Sequence, residues 1–133
     1  MIAGSEGIMG GVHDRLQVNG YKYLTLFDSG ARNTYVTPDV ARHLLSWKDP
    51  QTEPVALGGK VHHVRQGCML MAKIRGRWVK THARVIERIG KDEQGRPIDI
   101  LFGALAMQEW GIELNLKSEK VDLTHYSKEF VEF

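Results

Sequence analysis

One carboxylate stands where it could do chemistry. In Leu24-Thr25-Leu26-Phe27-Asp28-Ser29-Gly30-Ala31, an apolar run delivers Asp28 to the point where the chain turns on small residues. Leu24, Leu26 and Phe27 suit a strand with both faces covered. Ser29 and Gly30 then allow a sharp turn and a close approach by another chain. An acid at the end of such a strand is costly unless other groups satisfy it. That cost is usually tolerated where the acid has a reaction to perform. The plain alternative is a strand followed by an Asx-type turn.

The other reactive residue types mark no second site. His13, His43, His62, His63, His82 and His125 show no metal-ligand spacing. They read as solvated or hydrogen-bonded structural histidines, so no metal is expected. His62 and His63 are neighbours and point to opposite faces of a strand; either is placed to tune pH dependence. The single Cys68 leaves no internal disulfide. It lies in an apolar, strand-like run and reads as a small core residue, not a nucleophile. A reducing, cytoplasmic location fits that usage.

The chain of 133 residues is one domain by length, large enough to bury its own core. With 42% hydrophobic and 26% charged residues it has the composition of a soluble globular protein. No apolar run approaches the roughly 18 residues that span a bilayer, and no basic-then-apolar signal opens the chain. The net charge of +2 is spread along the sequence, which leaves no nucleic-acid footprint. Neither nucleic acid nor a membrane is an expected partner.

The elements that must position Asp28 follow from turn and cap signals. Met1 to Gly11 carries four glycines and little periodicity. It reads as a flexible leader (residues 1–11), whether a linker, a processed end or an added segment. Leu16-Gln17-Val18, Asn19-Gly20 and Tyr21 to Phe27 form a hairpin, because a type I′ turn needs positive φ at both central positions. Its second strand aims Asp28. Thr34-Tyr35-Val36 is a short strand. A helix then starts with Thr37 as N-cap and Pro38 at its first position, with Val40, Leu44 and Leu45 as its apolar side. Trp47 plugs the core or an edge, and Lys48 to Pro54 is a polar loop.

Val55-Ala56-Leu57, Gly58-Gly59 and Lys60-Val61 form a second hairpin with a glycine tip, whose plain reading is a surface hairpin. Val64 to Ile74 and Trp78 to Ile89 form a third, turning at Arg75-Gly76-Arg77. Gly90 to Pro97 is an exposed charged loop. The strand Ile98 to Gly103 leads into a helix over Ala104 to Trp110, closed by Gly111. Ile112 to Leu116 and Val121-Asp122-Leu123 pair across a turn. The domain spans 12–124, with a tail at 125–133. There are no repeats and no low-complexity segments.

Two motifs carry a resemblance. On Asp28-Ser29-Gly30-Ala31 after its apolar strand, and on Leu101-Phe102-Gly103 followed by a short helix, a glycine and a closing strand, the sequence resembles the retropepsin-like aspartic proteases. The likeness runs from about Leu16 to Leu123. It implies a mainly β fold, a closed or partly open barrel of the acid-protease type. One short helix follows the active-site loop and another lies near the C-terminus. It implies that Asp28 is catalytic, in an active-site loop with Ser29, Gly30 and Ala31. Leu101, Phe102 and Gly103 support that loop. Leu57, Gly58, Gly59, Lys60 and Val61 become a flap over bound peptide. The chain departs from the family at Ala104 and Leu105, where many relatives carry a charged or polar residue. It departs again at Arg32 and Asn33, where retroviral members carry acids. Those positions brace the site and grip substrate backbone.

The chemistry that the resemblance implies needs two carboxyl groups sharing one proton. The ionised one takes a proton from water and the protonated one polarises the carbonyl. No cofactor enters. The chain offers one Asp-Ser-Gly; Asp99, also near an apolar strand, lacks the turn. The second carboxyl is therefore expected from a second copy, across a two-fold axis. Ser29 would bond across that axis, and Gly30 would permit the approach. The pair titrates as a unit, with an acid-to-near-neutral optimum. A peptide substrate would lie extended like an added strand, with Leu57, Val61 and Ile100 as apolar lining. The implied function is a homodimeric aspartic endopeptidase. The alternatives are a catalytically weak or inactive dimerisation or peptide-binding module on the same fold, and a structural β-barrel with a chance triplet.

Overall fold

Asn19 and Gly20 adopt φ of 51° and 85°, the pair of left-handed conformations that a type I′ turn demands. They join β1 (Gly11–Val18) to β2 (Tyr21–Asp28), in register from Val18 opposite Tyr21 to Gly11 opposite Asp28. The computed structural model describes residues 11–127. After β2 come β3 (Tyr35–Val36), α1 (Pro38–Ala41), β4 (Ser46–Leu57), β5 (Lys60–Ile74) and β6 (Arg77–Val85). Then follow β7 (Gly90–Lys91), β8 (Pro97–Ile98), β9 (Ile100–Gly103), α2 (Ala104–Trp110), β10 (Glu113–Asn115) and β11 (Lys120–Asp122). The turns at Gly58-Gly59 and Arg75-Gly76 repeat the positive-φ pair of the first hairpin.

The main sheet runs β1-β2-β9-β3-β6-β5-β4. One further bridge, Gln17 to Lys73, joins β1 to β5 and bends six of these strands into a ring with β4 outside it. A ring closed at one residue pair is a partly open barrel. The fold is mainly β with two short helices, as expected. Strand alternation sorts the interior into two layers. Ile100 and Phe102 enter the larger cluster with Leu16, Phe27, Val40, Cys68 and Leu70. Leu101, between them, enters a smaller one with Tyr35, Val64 and Ile86, joined by Leu26, Ala31, Val55, Leu57 and Ile89. Cys68 is fully buried, and burial pushes its thiol up to about 11. It stays a neutral core residue.

Several local expectations change in tertiary context. Lys48 to Pro54 lies within β4 and not in a free loop. Lys48 pairs with Gln66 and Glu53 with Val64, so residues 49–52 bulge from the strand. An edge strand exposed to water needs no alternation, and bulges and prolines there discourage pairing with other chains. Thr37 is the N-cap of α1 but makes no side-chain cap. Its hydroxyl donates to Asp99 Oδ1 at 2.9 Å. That helix is a single turn; Leu44 packs on the core and Leu45 is 76% exposed. Trp47 lies on the surface above Gly67, where a Cβ would come within 2.8 Å of its Nε1, and stacks on His82. It is an edge plug. The strand expected from Trp78 to Ile89 ends at Val85.

Gly90 to Pro97 is more ordered than a charged loop. β7 pairs with β8 as a separate hairpin. Within its turn, Asp92 Oδ1 accepts from the backbone N–H groups of Gln94 and Arg96 at 2.9 and 2.8 Å. Its Oδ2 accepts from Arg96 Nε at 2.7 Å. Desolvation works to raise the Asp92 pKa, but the hydrogen bonds from Arg96 and Gln94 outweigh it and hold the carboxyl below its ordinary value. A depressed folded pKa contributes stability above the unfolded value, near 4, that is lost as pH falls through the folded one. The protection of the Gln94 and Arg96 amides, taken relative to the intrinsic exchange rate at each pH, should therefore fall on acidification below about pH 4 and stay level through neutral pH.

The chain ends modify the expected boundaries. Gly11 is the first residue of β1 and not part of a leader, since it pairs with Asp28; residues 1–10 and 128–133 lie outside those described. The start of the expected tail is fastened down. Tyr126 stacks on Trp110 and donates to Trp78 O at 2.6 Å. Gly111 ends α2 in the left-handed region (φ 67°), as its placement after the helix predicted. Among the described residues no helix is long and apolar enough to cross a membrane.

Candidate active site

Asp28 closes β2 between two glycines. Gly11 lies opposite it on the antiparallel side and Gly103 on the parallel side, so no neighbouring side chain crowds it within the sheet. The carboxylate is half-buried. Its Oδ1 accepts the Gly30 N–H at 2.8 Å, and its carbonyl accepts the Ala31 N–H at 3.2 Å. The Asx-type turn therefore forms. It holds one carboxylate oxygen still, while among the described residues Oδ2 makes no hydrogen bond.

The loop after Asp28 lies across the junction of β9 and α2. Ala104 N–H donates to Ala31 O at 2.7 Å and Leu105 N–H to Arg32 O at 3.1 Å. Gly103 N–H donates to the buried Thr34 Oγ1 at 3.1 Å. Gly103 has an extended backbone (φ −89°, ψ 178°), so its need for glycine is steric. A Cβ there would fall on Asn33 O and come within 2.6 Å of Asn33 C and 2.9 Å of Arg32 O. The loop is thus braced by main-chain groups. The departures at Arg32, Ala104 and Leu105 leave that brace intact, and Arg32 and Leu105 are exposed.

Gly30 is not in the left-handed region, so its part in the turn is space rather than conformational freedom. A Cβ at this position would stand 3.2 Å from Asp28 Oδ1. Gly30→Val should push the carboxylate off its Gly30 N–H. The chain should still fold; with Asp28 as a catalytic group, a displacement of about 1 Å would cost on the order of a hundredfold in rate.

The glycine-tipped hairpin lies over the same apolar layer. Leu57 pairs with Lys60 and Val55 with His62, so these four share a face with Val64. Leu57, Val55 and Val64 pack in the smaller cluster that also holds Ala31 and Leu101. Val61 is 65% exposed and belongs to the opposite face. Ile100 is fully buried in the larger cluster, so it cannot line a peptide site; Leu101 takes the side facing the hairpin layer. His62 is half-buried and His63 exposed. Ile89, which sequence reading left unassigned, packs on the same apolar cluster through tertiary contact.

Asp99 is engaged elsewhere, accepting from Thr37 Oγ1 and, through its carbonyl, from Thr37 N. Among the described residues, no cluster of three His, Cys, Asp or Glu side chains could hold a metal ion. Beside the loop, Ser29 borders a groove of about 290 Å³ with Ala104, Met107, Gln108, Ile112 and Leu116. Leu116 is 48% exposed, and Leu105, at the start of α2, is 49% exposed.

The fold built this way is retropepsin-like. The retroviral protease-like domain of Ddi1 from Leishmania major superposes with a TM-score of 0.60 at 18% identity, over 86% of this chain and 88% of that one. The EIAV protease bound to the inhibitor HBY-793 gives 0.55 at 19% identity, over 77% and 90%. The foamy viral protease-reverse transcriptase with an RNA/DNA hybrid gives 0.50 at 13% identity, over 80% of this chain and 13% of that one. At such identities the likeness is one of fold. No protein-family model and no curated protein matches the sequence.

Proposed function

We propose that the chain is a homodimeric aspartic endopeptidase, with Asp28 of each copy supplying one carboxyl of the catalytic pair. The observation that carries this reading is the state of Asp28: braced through its own loop, fixed at Oδ1 by Gly30 N–H, and unpartnered at Oδ2 among the described residues. Two such groups brought face to face cannot both ionise, so they share a proton. The ionised member draws a proton from water, the other donates to the scissile carbonyl, and the proton then passes to the leaving amine. The apolar groove beside Ser29, with exposed Leu116 and Leu105, is where a second copy would pack. The Leu57–Val61 hairpin serves as the flap, with two glycines at its tip to let it open.

The test is cleavage of a peptide library as a function of protein concentration. Pepstatin-sensitive cleavage whose specific activity falls on dilution supports the dimeric enzyme; undiminished specific activity down to concentrations where the chain is monomeric contradicts it. A peptide-binding module without catalysis is the second reading, and Arg32 favours it. Arg32 stands exposed where retroviral members carry an acid that braces the site. That module would bind peptides, dimerise and cleave nothing.

A further inference from the structure

A cavity of about 740 Å³, which Asp28 does not itself line, lies between the tip of the flap hairpin, the segment Glu87 to Lys91, and β8. Its volume is that of a ligand site. Leu57 and Ile89 line it and also belong to the apolar cluster containing Ala31. The cavity is thus continuous with the layer beneath the active-site loop. Its walls carry Lys60 from the hairpin, and Arg88 and Lys91 from the facing segment. Among the described residues none of these three forms an ion pair.

The acids around the cavity are less available. Asp39 is paired with Arg42 at 3.0 Å, and Asp99 accepts the Thr37 hydroxyl. Only Glu87 opposes the cations without a partner among the described residues. His62, half-buried on the Lys60 face, also lines the cavity. The β7–β8 hairpin, rigidified at Asp92, holds Lys91 at the far wall.

We propose that this groove selects an acidic side chain of the bound peptide, at a position flanking the scissile bond, through Lys60, Arg88 and Lys91. The extended peptide rests on the endopeptidase reading; the charge preference rests on the groove alone. Exposed ion pairs are individually weak, so three together give about a five- to tenfold preference for Glu over Gln at that position. The preference should shrink with added salt.

The experiment separates the two readings. Full-length Asp28→Asn protein, unable to cleave by the proposed mechanism, is titrated with fluorescent peptides that differ only by Glu against Gln at each position in turn. One position at which Glu binds several-fold tighter, with the preference lost or reversed toward Gln in Arg88→Glu/Lys91→Glu, supports the proposal. Equal binding of Glu and Gln peptides at every position overturns it, as does a preference that survives the double charge reversal. No detectable peptide binding also overturns it. Absence of cleavage by the wild-type chain would count against the endopeptidase reading and leave this binding result to stand or fall alone. A circular dichroism spectrum matching wild type confirms that the double variant is folded.

Discussion

On the proposed mechanism, Asp28→Asn should eliminate peptide cleavage and leave the chain folded and dimeric. Asparagine keeps the shape of the side chain and an oxygen able to accept the Gly30 N–H, which Asp28 receives at 2.8 Å. What it loses is the ability to exchange a proton with water. General acid–base catalysis contributes about 10²- to 10⁴-fold, and here one group type supplies both acid and base, so the loss should reach about 10³-fold or more. Mixing adds a sharper test. If each site takes one Asp28 from each copy, activity follows the square of the wild-type fraction, and an equal mixture keeps about a quarter of the starting activity. A fall to half would mean that one chain suffices.

Gly103→Ala should cost more stability than any other single methyl group added around the site. The new Cβ meets Asn33 O, Asn33 C and Arg32 O, all main chain, in a loop that Ala104 N, Leu105 N and Thr34 Oγ1 already hold. No side chain can rotate to make room. Overpacking of this kind costs about 3 kcal/mol, the upper end for small-to-large changes, and what relief exists comes from shifting the Asp28 loop. Tm should therefore fall, and on the proposed mechanism cleavage should fall with it. Gly11→Ala is the control on the other flank of Asp28. Its Cβ meets Leu26 Cδ1 at 3.0 Å, the far end of a flexible side chain, and should cost under about 1 kcal/mol. Equal losses in the two variants, read by chemical denaturation, would contradict the packing argument.

The contrast between those glycines marks how far the sequence could be read. Local signals were legible where they act locally. Asn19-Gly20 set the first hairpin, and Gly103 and Gly111 bounded α2 at Ala104–Trp110. Features set by distant partners were not. The Thr37 hydroxyl leaves its cap for Asp99, 62 residues away, and the demand at Gly103 comes from Asn33. Ile100 and Leu101 are both apolar, and only the parallel register with Thr25 and Leu26 decides which of them faces the hairpin layer. The bulge at 49–52 was hidden because an exposed edge strand carries no hydrophobic period. Asp28 itself was visible from its strand and turn, whereas the groove that Lys60, Arg88 and Lys91 line needs three segments brought together.

The central claim is that two Asp28 carboxyls meet. A crystal structure of the full chain, at a concentration where its solution mass is that of a dimer, measures this directly. The account predicts carboxyl oxygens of the two copies about 2.5–3.0 Å apart, the span of a shared proton. A monomer in solution, or a dimer whose Asp28 carboxyls lie too far apart for one water to bridge, would contradict it.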